Sequence, residues 1–171
     1  MDERVKTVTL RGDPLTLEGN MPALGKPAPD VRLIDNDLAP YALSSARGKV
    51  CVISALPSLD TPTCDMETRR FNTEAASLGD DVIILTVSMD LPFAQKRWCG
   101  AAGVDRVVTV SDYREGAFGE AYGVMIKELR LLARAIFVID REGILRYEQI
   151  VPEIAQEPDY QEIIDTVQNL L

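Results

Sequence analysis

Val50-Cys51-Val52-Ile53-Ser54-Ala55-Leu56 is a nearly unbroken apolar run, and Pro57 closes it. A strand packed on both faces has this composition, whereas a strand with one wet face alternates. A helical pattern follows from about Pro62 to Leu78, with Phe71, Ala75 and Leu78 on one face, and Val82 to Ser88 is a second buried strand. Strand, helix and strand with short joints form a βαβ unit, which predicts that the two strands run parallel.

Outward from this unit the pattern continues on both sides. Downstream, Pro92 to Cys99 reads as a helix entered at proline and ended near Gly100. Arg106 to Val110 is a third strand, and Phe118 to Tyr122 a brief helix. Ala135 to Ile139 is another buried strand; Asp140-Arg141-Glu142-Gly143 turns it, and Ile144 to Val151 pairs back antiparallel. Pro158 to Leu171 closes the chain as a helix with Tyr160, Ile163, Ile164, Val167, Leu170 and Leu171 on one core-facing stripe. Upstream, Val5 to Leu10 and Leu15 to Leu17 flank an Arg11–Pro14 turn as a hairpin. A proline-rich connector, Gly25 to Asp30, then leads to a strand at Val31 to Ile34. The order predicts an α/β protein with a thioredoxin-like fold: a central mixed sheet flanked by helices, with an added N-terminal β-hairpin. Residues 1–171 are read as one domain and 1–20 as its hairpin extension.

Composition narrows the chemistry. At 171 residues the chain has the length of one domain, and 46% hydrophobic and 26% charged residues are ordinary globular values. Its 18 basic residues against 27 acidic ones leave a formal charge of -9, which opposes nucleic-acid and anionic-membrane binding. Histidine is absent, which excludes Ser-His-Asp and Cys-His machinery and any imidazole ligand. No cofactor and no metal is expected. Acids in Met1-Asp2-Glu3-Arg4-Val5-Lys6, and apolar runs no longer than a strand, predict a cytoplasmic protein without a signal peptide or membrane span. The three cysteines, Cys51, Cys64 and Cys99, are odd in number and contain no C-x-x-C pair, so they suit neither a secreted disulfide framework nor a metal site.

Cys64 is the reactive candidate. It follows a buried central strand at its carboxyl end, where open α/β sheets bind ligands. Thr61 and Pro62 read as N-cap and first residue of its helix, so free N–H groups face the sulfur. At the ordinary thiol pKa near 8.5 only about 3% is ionised at neutral pH. Making thiolate the majority form takes about 2.7 kcal/mol, and a helix end supplies about 0.3–1. An arginine or lysine close to the sulfur is therefore required, the more so because Asp65 and Glu67 oppose the negative charge. Cys99, near a helix end beside Gly100, has the opposite setting: the negative helix pole disfavours thiolate and the glycine eases unwinding. The asymmetry suits an attacking and a resolving thiol, although a packed helix residue beside Trp98 reads equally well. Cys51, mid-strand, reads as core. Arg69-Arg70 reads as a solvated helix face and Asp112-Tyr113-Arg114-Glu115 as a turn.

Pro57-Ser58-Leu59-Asp60-Thr61-Pro62-Thr63-Cys64 resembles the peroxiredoxin active-site pattern Pro-x-x-x-Thr-x-x-Cys. Asp90 to Gly100 resembles the resolving-cysteine segment of the thiol peroxidase subfamily, the atypical two-cysteine peroxiredoxins, as do Leu132-Ala133-Arg134-Ala135 and Glu157-Pro158-Asp159-Tyr160. Asp65 and Glu67 stand outside the core pattern, a departure that bears on surface details and partner contacts and not on the chemistry. The resemblance implies a peroxidatic Cys64, an Arg134 against its sulfur, a Thr61 that orients the peroxide, a shielding Pro57 and a resolving Cys99 in the same chain. It implies hydroperoxide substrates, thioredoxin as reductant, a homodimer and a Cys64–Cys99 disulfide. Disulfide closure needs Cα atoms within about 7 Å, and the two thiols are expected to stand farther apart in the reduced fold, so the first turn around Cys64 and the Cys99 helix must unwind. The rival readings are a general dithiol-disulfide oxidoreductase on the same fold, a non-catalytic redox sensor and a structural dimer with buried thiols.

Overall fold

The computed structural model describes residues 6–171. The chain enters through β1 (Thr7–Leu10) and β2 (Asp13–Glu18), turned at Arg11 and Gly12, whose φ angles are 51° and 86°. Val5, where the expected first strand began, lies outside the described residues. Next come β3 (Arg32–Ile34), β4 (Pro40–Ala42) and a 3-10 turn over Leu43–Ala46. The central unit is β5 (Val50–Ala55), α1 (Pro62–Leu78) and β6 (Val82–Ser88). Then follow α2 (Pro92–Ala102), β7 (Val107–Ser111) and α3 (Ala117–Tyr122). Two short strands, β8 (Met125–Ile126) and β9 (Leu131–Leu132), precede β10 (Ala135–Ile139), β11 (Leu145–Ile150) and α4 (Tyr160–Leu170).

The main sheet runs β11-β10-β5-β6-β7-β3-β4. β5, β6 and β7 are parallel, as the βαβ reading requires, while β10 lies antiparallel to both β5 and β11. This mixed sheet flanked by helices is the expected thioredoxin-like α/β fold. Every residue of β5 is buried because both faces are covered. Cys51, Ile53 and Ala55 point into a cluster with Phe118, Tyr122 and Phe137. Val50 and Val52 point the other way, onto Phe71 and Ala75 of α1 and Ile163 and Val167 of α4. Each large side chain buried this way contributes about 1.5–3 kcal/mol.

Three differences from the sequence reading have physical causes. β4, β8 and β9 are two or three residues long, too short for any periodicity to mark them. β8 and β9 extend the N-terminal hairpin into a second sheet, β1-β2-β8-β9, which seats the hairpin against the body of the protein. The backbone of Thr9 adds bonds to Pro152 and Ile154. Finally, α2 does not stop at Gly100. It runs on to Ala102 and ends at Gly103, whose φ of 67° is the left-handed cap that glycine adopts without strain. Gly100 is an interior helix residue with open space where a Cβ would stand.

Candidate active site

The loop from Leu56 to Thr61 carries the chain from the carboxyl end of β5 into α1. Thr61 is the N-cap: its backbone is extended and its Oγ1 accepts the Cys64 N–H at 3.4 Å. The same hydroxyl donates its one proton to the Ser58 carbonyl at 3.0 Å. A hydroxyl has one donor and two lone pairs, so Thr61 is left able only to accept from an incoming O–H. Asp90 braces the loop from outside, taking Ser58 Oγ at 2.7 Å and the Leu59 N–H at 2.9 Å. Pro57 is buried at the loop's base. Cys64 is 0% exposed, packed with Leu56, Leu59 and the ring of Trp98.

The cation that the sequence argument called for is present. Arg134 stands just ahead of β10, and its Nη2 donates to Cys64 Sγ at 3.3 Å. Its Nε donates to the Ile154 carbonyl at 2.9 Å, and its Nη1 pairs with Glu67 Oε2. All three contacts fix the plane of one fork, which a lysine could not satisfy. Glu67 corrects the sequence reading. It bears on the chemistry directly: it is 0% exposed, three residues after Cys64 on the same helix face, and its other oxygen accepts from Ser54 Oγ at 2.9 Å. Two sequence signals pointed to it, the i,i+3 spacing and a serine inside an otherwise apolar strand. Burial raises the Glu67 pKa against the opposing pull of Arg134. Burial works against the charge on Arg134, but the Glu67 carboxylate and the Cys64 sulfur outweigh it and raise the pKa. Asp65 turns outward, to Arg69 Nε at 2.9 Å and Trp98 Nε1 at 3.0 Å.

Cys99 is half-buried on α2, with its Sγ 3.5 Å from Thr109 Oγ1 of β7. All three cysteines are free. Cys51 packs under the opposite face of the sheet, and burial pushes its thiol up to about 12. Arg69 and Arg70 pair with Asp65 and Glu74 on the outer face of α1, as the solvated reading of that pair expects. Asp112 ends in a role the turn reading missed: buried, it accepts the Phe118 and Gly119 N–H groups at the start of α3.

A cavity of about 240 Å³ opens against this site, lined by Pro57, Thr61 and Arg134 together with the apolar Leu129, Leu131 and Ile154. Among the described residues no group of three His, Cys, Asp or Glu side chains could hold a metal ion. Among the same residues no helix is long and apolar enough to cross a membrane.

Residues 23–164 match the family described as Redoxin. The chain is 50% identical over 164 residues to a thiol peroxidase of Bacillus subtilis, covering 96% of this chain and 98% of that protein. It is 47% identical over 163 residues to a thiol peroxidase of Staphylococcus aureus, covering 95% and 98%. Among solved structures, a peroxiredoxin-like protein from Aquifex aeolicus superposes with a TM-score of 0.91 at 42% identity, covering 98% of each chain. A thiol peroxidase from Chromobacterium violaceum, 20% identical and covering 95% of each chain, shares the fold with a TM-score of 0.85.

Proposed function

The chain belongs to the Redoxin family and is a peroxiredoxin-type peroxidase, and from that premise we propose that it reduces hydrogen peroxide and organic hydroperoxides at Cys64, closes a Cys64–Cys99 disulfide, and is recycled by thioredoxin. The observation that carries this reading is the Arg134 Nη2 to Cys64 Sγ contact of 3.3 Å at a helix N-terminus. A sulfur in that position is held as the nucleophile by a fixed cation and by the positive pole of the helix. The hydroperoxide enters with its O–O bond in line with the sulfur, and its O–H donates to the open lone pair of Thr61. Sulfur attacks the near oxygen, and the far oxygen leaves as hydroxide or alkoxide. Negative charge moves from sulfur to the leaving oxygen, and Arg134 follows it without reorganising because its other two contacts fix its plane. The apolar walls of the adjoining cavity leave room for an alkyl substituent.

Cys64 is then a sulfenic acid. Cys99 attacks its sulfur, water leaves, and the disulfide that results is reopened by thiol exchange. Pro57 shields the sulfenic acid from bulk water. We further infer that the whole chain works as one thioredoxin-like unit, the hairpin included, and as a cytoplasmic homodimer. The exposed Leu38, Leu91 and Phe93, at 45%, 52% and 66% exposure, offer apolar surface for such pairing.

Peroxide turnover coupled to thioredoxin, measured on the parent, Cys64→Ser and Cys99→Ser, tests the chemistry. The parent turns over repeatedly. Cys64→Ser is inactive, and Cys99→Ser consumes about one equivalent of peroxide and stops as the sulfenic acid. Insulin reduction without peroxide consumption by the parent would instead establish the general oxidoreductase reading. One oxidation without recycling would establish the sensor.

A further inference from the structure

We propose that Thr109 and Asn36 are positioning residues for Cys99, holding its sulfur turned onto β7 so that disulfide closure waits on their release. The inference deepens the reading above and rests on the resolving role given there to Cys99.

The hydrogen bonds have one consistent direction. Thr109 is 3% exposed, and its hydroxyl donates to Asn36 Oδ1 at 3.1 Å. With its single proton spent, its oxygen can only accept from the sulfur 3.5 Å away, so Cys99 S–H donates to Thr109, which donates to Asn36. Asn36 is itself held. It sits in the β3–β4 turn, where Asp35 Oδ1 accepts the Asp37 and Ala39 N–H groups at 2.8 and 3.0 Å. The turn is tied back to α2 by Lys96 Nζ and Asp37 Oδ1 at 3.2 Å.

On the neighbouring face of α2 a different residue looks toward the site. Trp98 packs on the Cys64 cluster and donates to Asp65, the residue after Cys64. Adjacent residues on a helix point about 100° apart. While α2 is helical, Trp98 therefore holds the place that Cys99 must reach, and Cys99 faces β7. Closing the disulfide requires an exchange in which Trp98 withdraws and Cys99 leaves Thr109. Ser54, Thr86 and Thr109 form a row of hydroxyl residues in register across β5, β6 and β7. The buried Thr86 Oγ1 has no hydrogen-bond partner among the described residues. The covalent step balances without further reagents: the Cys99 S–H and the Cys64 S–OH give one S–S bond and one water, the peroxide having supplied the oxidising equivalent.

The test uses reduced full-length protein mixed with one equivalent of hydrogen peroxide. Disulfide is followed by acid quench and mass spectrometry, and by fluorescence of Trp98, the one tryptophan in the chain. In Thr109→Val, a change of nearly equal volume, closure is expected to be about 3- to 10-fold faster, the factor that one net hydrogen bond represents. The rate of the first step with peroxide is expected to stay at the parental value, and Thr109→Ser to restore parental closure. Asn36→Ala is expected to move closure the same way by a smaller factor, and it decides the matter if Thr109→Val does not fold. Closure in these variants at or below the parental rate overturns the inference while leaving the peroxidase reading intact. A parent that forms no Cys64–Cys99 disulfide overturns both.

Discussion

A guanidinium that is 1% exposed needs anions around it, because an unpaired buried charge costs several kcal/mol. Arg134 has the Cys64 sulfur and the Glu67 carboxylate, and the two compete for one cation while also holding it in place. Removing Glu67 therefore affects both stability and chemistry. Glu67→Ala is expected to cost about 3–5 kcal/mol in urea denaturation. It is also expected to slow the single-turnover reaction of Cys64 with peroxide by up to about 100-fold, because Nη2 loses its fixed aim. Glu67→Gln keeps one oxygen to accept from Arg134 and turns its amide N–H toward Ser54, whose hydroxyl can accept instead, so its losses should be clearly smaller in both measurements. An alanine variant as fast as the parent would mean that Glu67 is structural only. At this scale the sequence was legible where the residues are close in the chain. Pro57, Thr61 and Cys64 lie within eight residues on one loop and the first turn of α1, whose helix cap and proline are local signals. Arg134 lies 70 positions away, and only the charge that a thiolate demands, joined to the family resemblance, pointed to it. Glu67 was misread because its negative sign was weighed and its place on the buried face of α1 was not.

Among the elements, the long apolar runs were legible because burial on both faces leaves no room for polar residues. The strands β5, β6 and β10 and the helix α1 fall where the sequence places them. β8 and β9 escaped because two residues carry no period, and their pairing is set by the hairpin they lean on. The end of α2 shows a subtler limit. Gly100 and Gly103 look alike as letters, and only the backbone tells the interior residue from the cap at φ 67°. That distinction gives a pair of opposite expectations for a helix that has to unwind before its cysteine can react. Gly100→Ala meets open space and favours the helix by about 0.5–1 kcal/mol, so thermal stability should rise. Disulfide closure after one equivalent of peroxide should slow about 2- to 5-fold, the same energy read as a rate. Gly103→Ala forces a side chain into left-handed backbone at a cost of about 1–2 kcal/mol, and should lower stability and hasten closure. If Gly100→Ala stabilised the protein but left closure unchanged, α2 would not be the part that unwinds.

Across the whole molecule, the Cys51 thiol and the buried phenols link stability to alkaline pH. Cys51 is 3% exposed between β5 and the α3 aromatics, and burial raises its pKa from 9.0 to about 12. The folded chain thus keeps this thiol protonated through a range where the unfolded chain ionises it. The unfolded state binds fewer protons there, so stability is complete below pH 9 and falls as pH climbs toward 12. At pH 10 the loss from this one group is about 1.4 kcal/mol. Tyr122, buried beside it, and Tyr147 on β11 move in the same direction, both raised first by burial, and Tyr147 to about 12. Cys51→Ala leaves a small void and should lower stability most below pH 9, where the parent thiol is protonated in both states, and by less as pH rises. Its contribution to the slope vanishes, so the drop in unfolding free energy between pH 8 and pH 10 should shrink by roughly the same 1.4 kcal/mol. Denaturant titrations of the parent and Cys51→Ala at those two pH values separate the cases. Parallel slopes would mean that Cys51 ionises as readily in the folded protein as in the unfolded chain, and that the sheet's inner face is open to hydroxide or water.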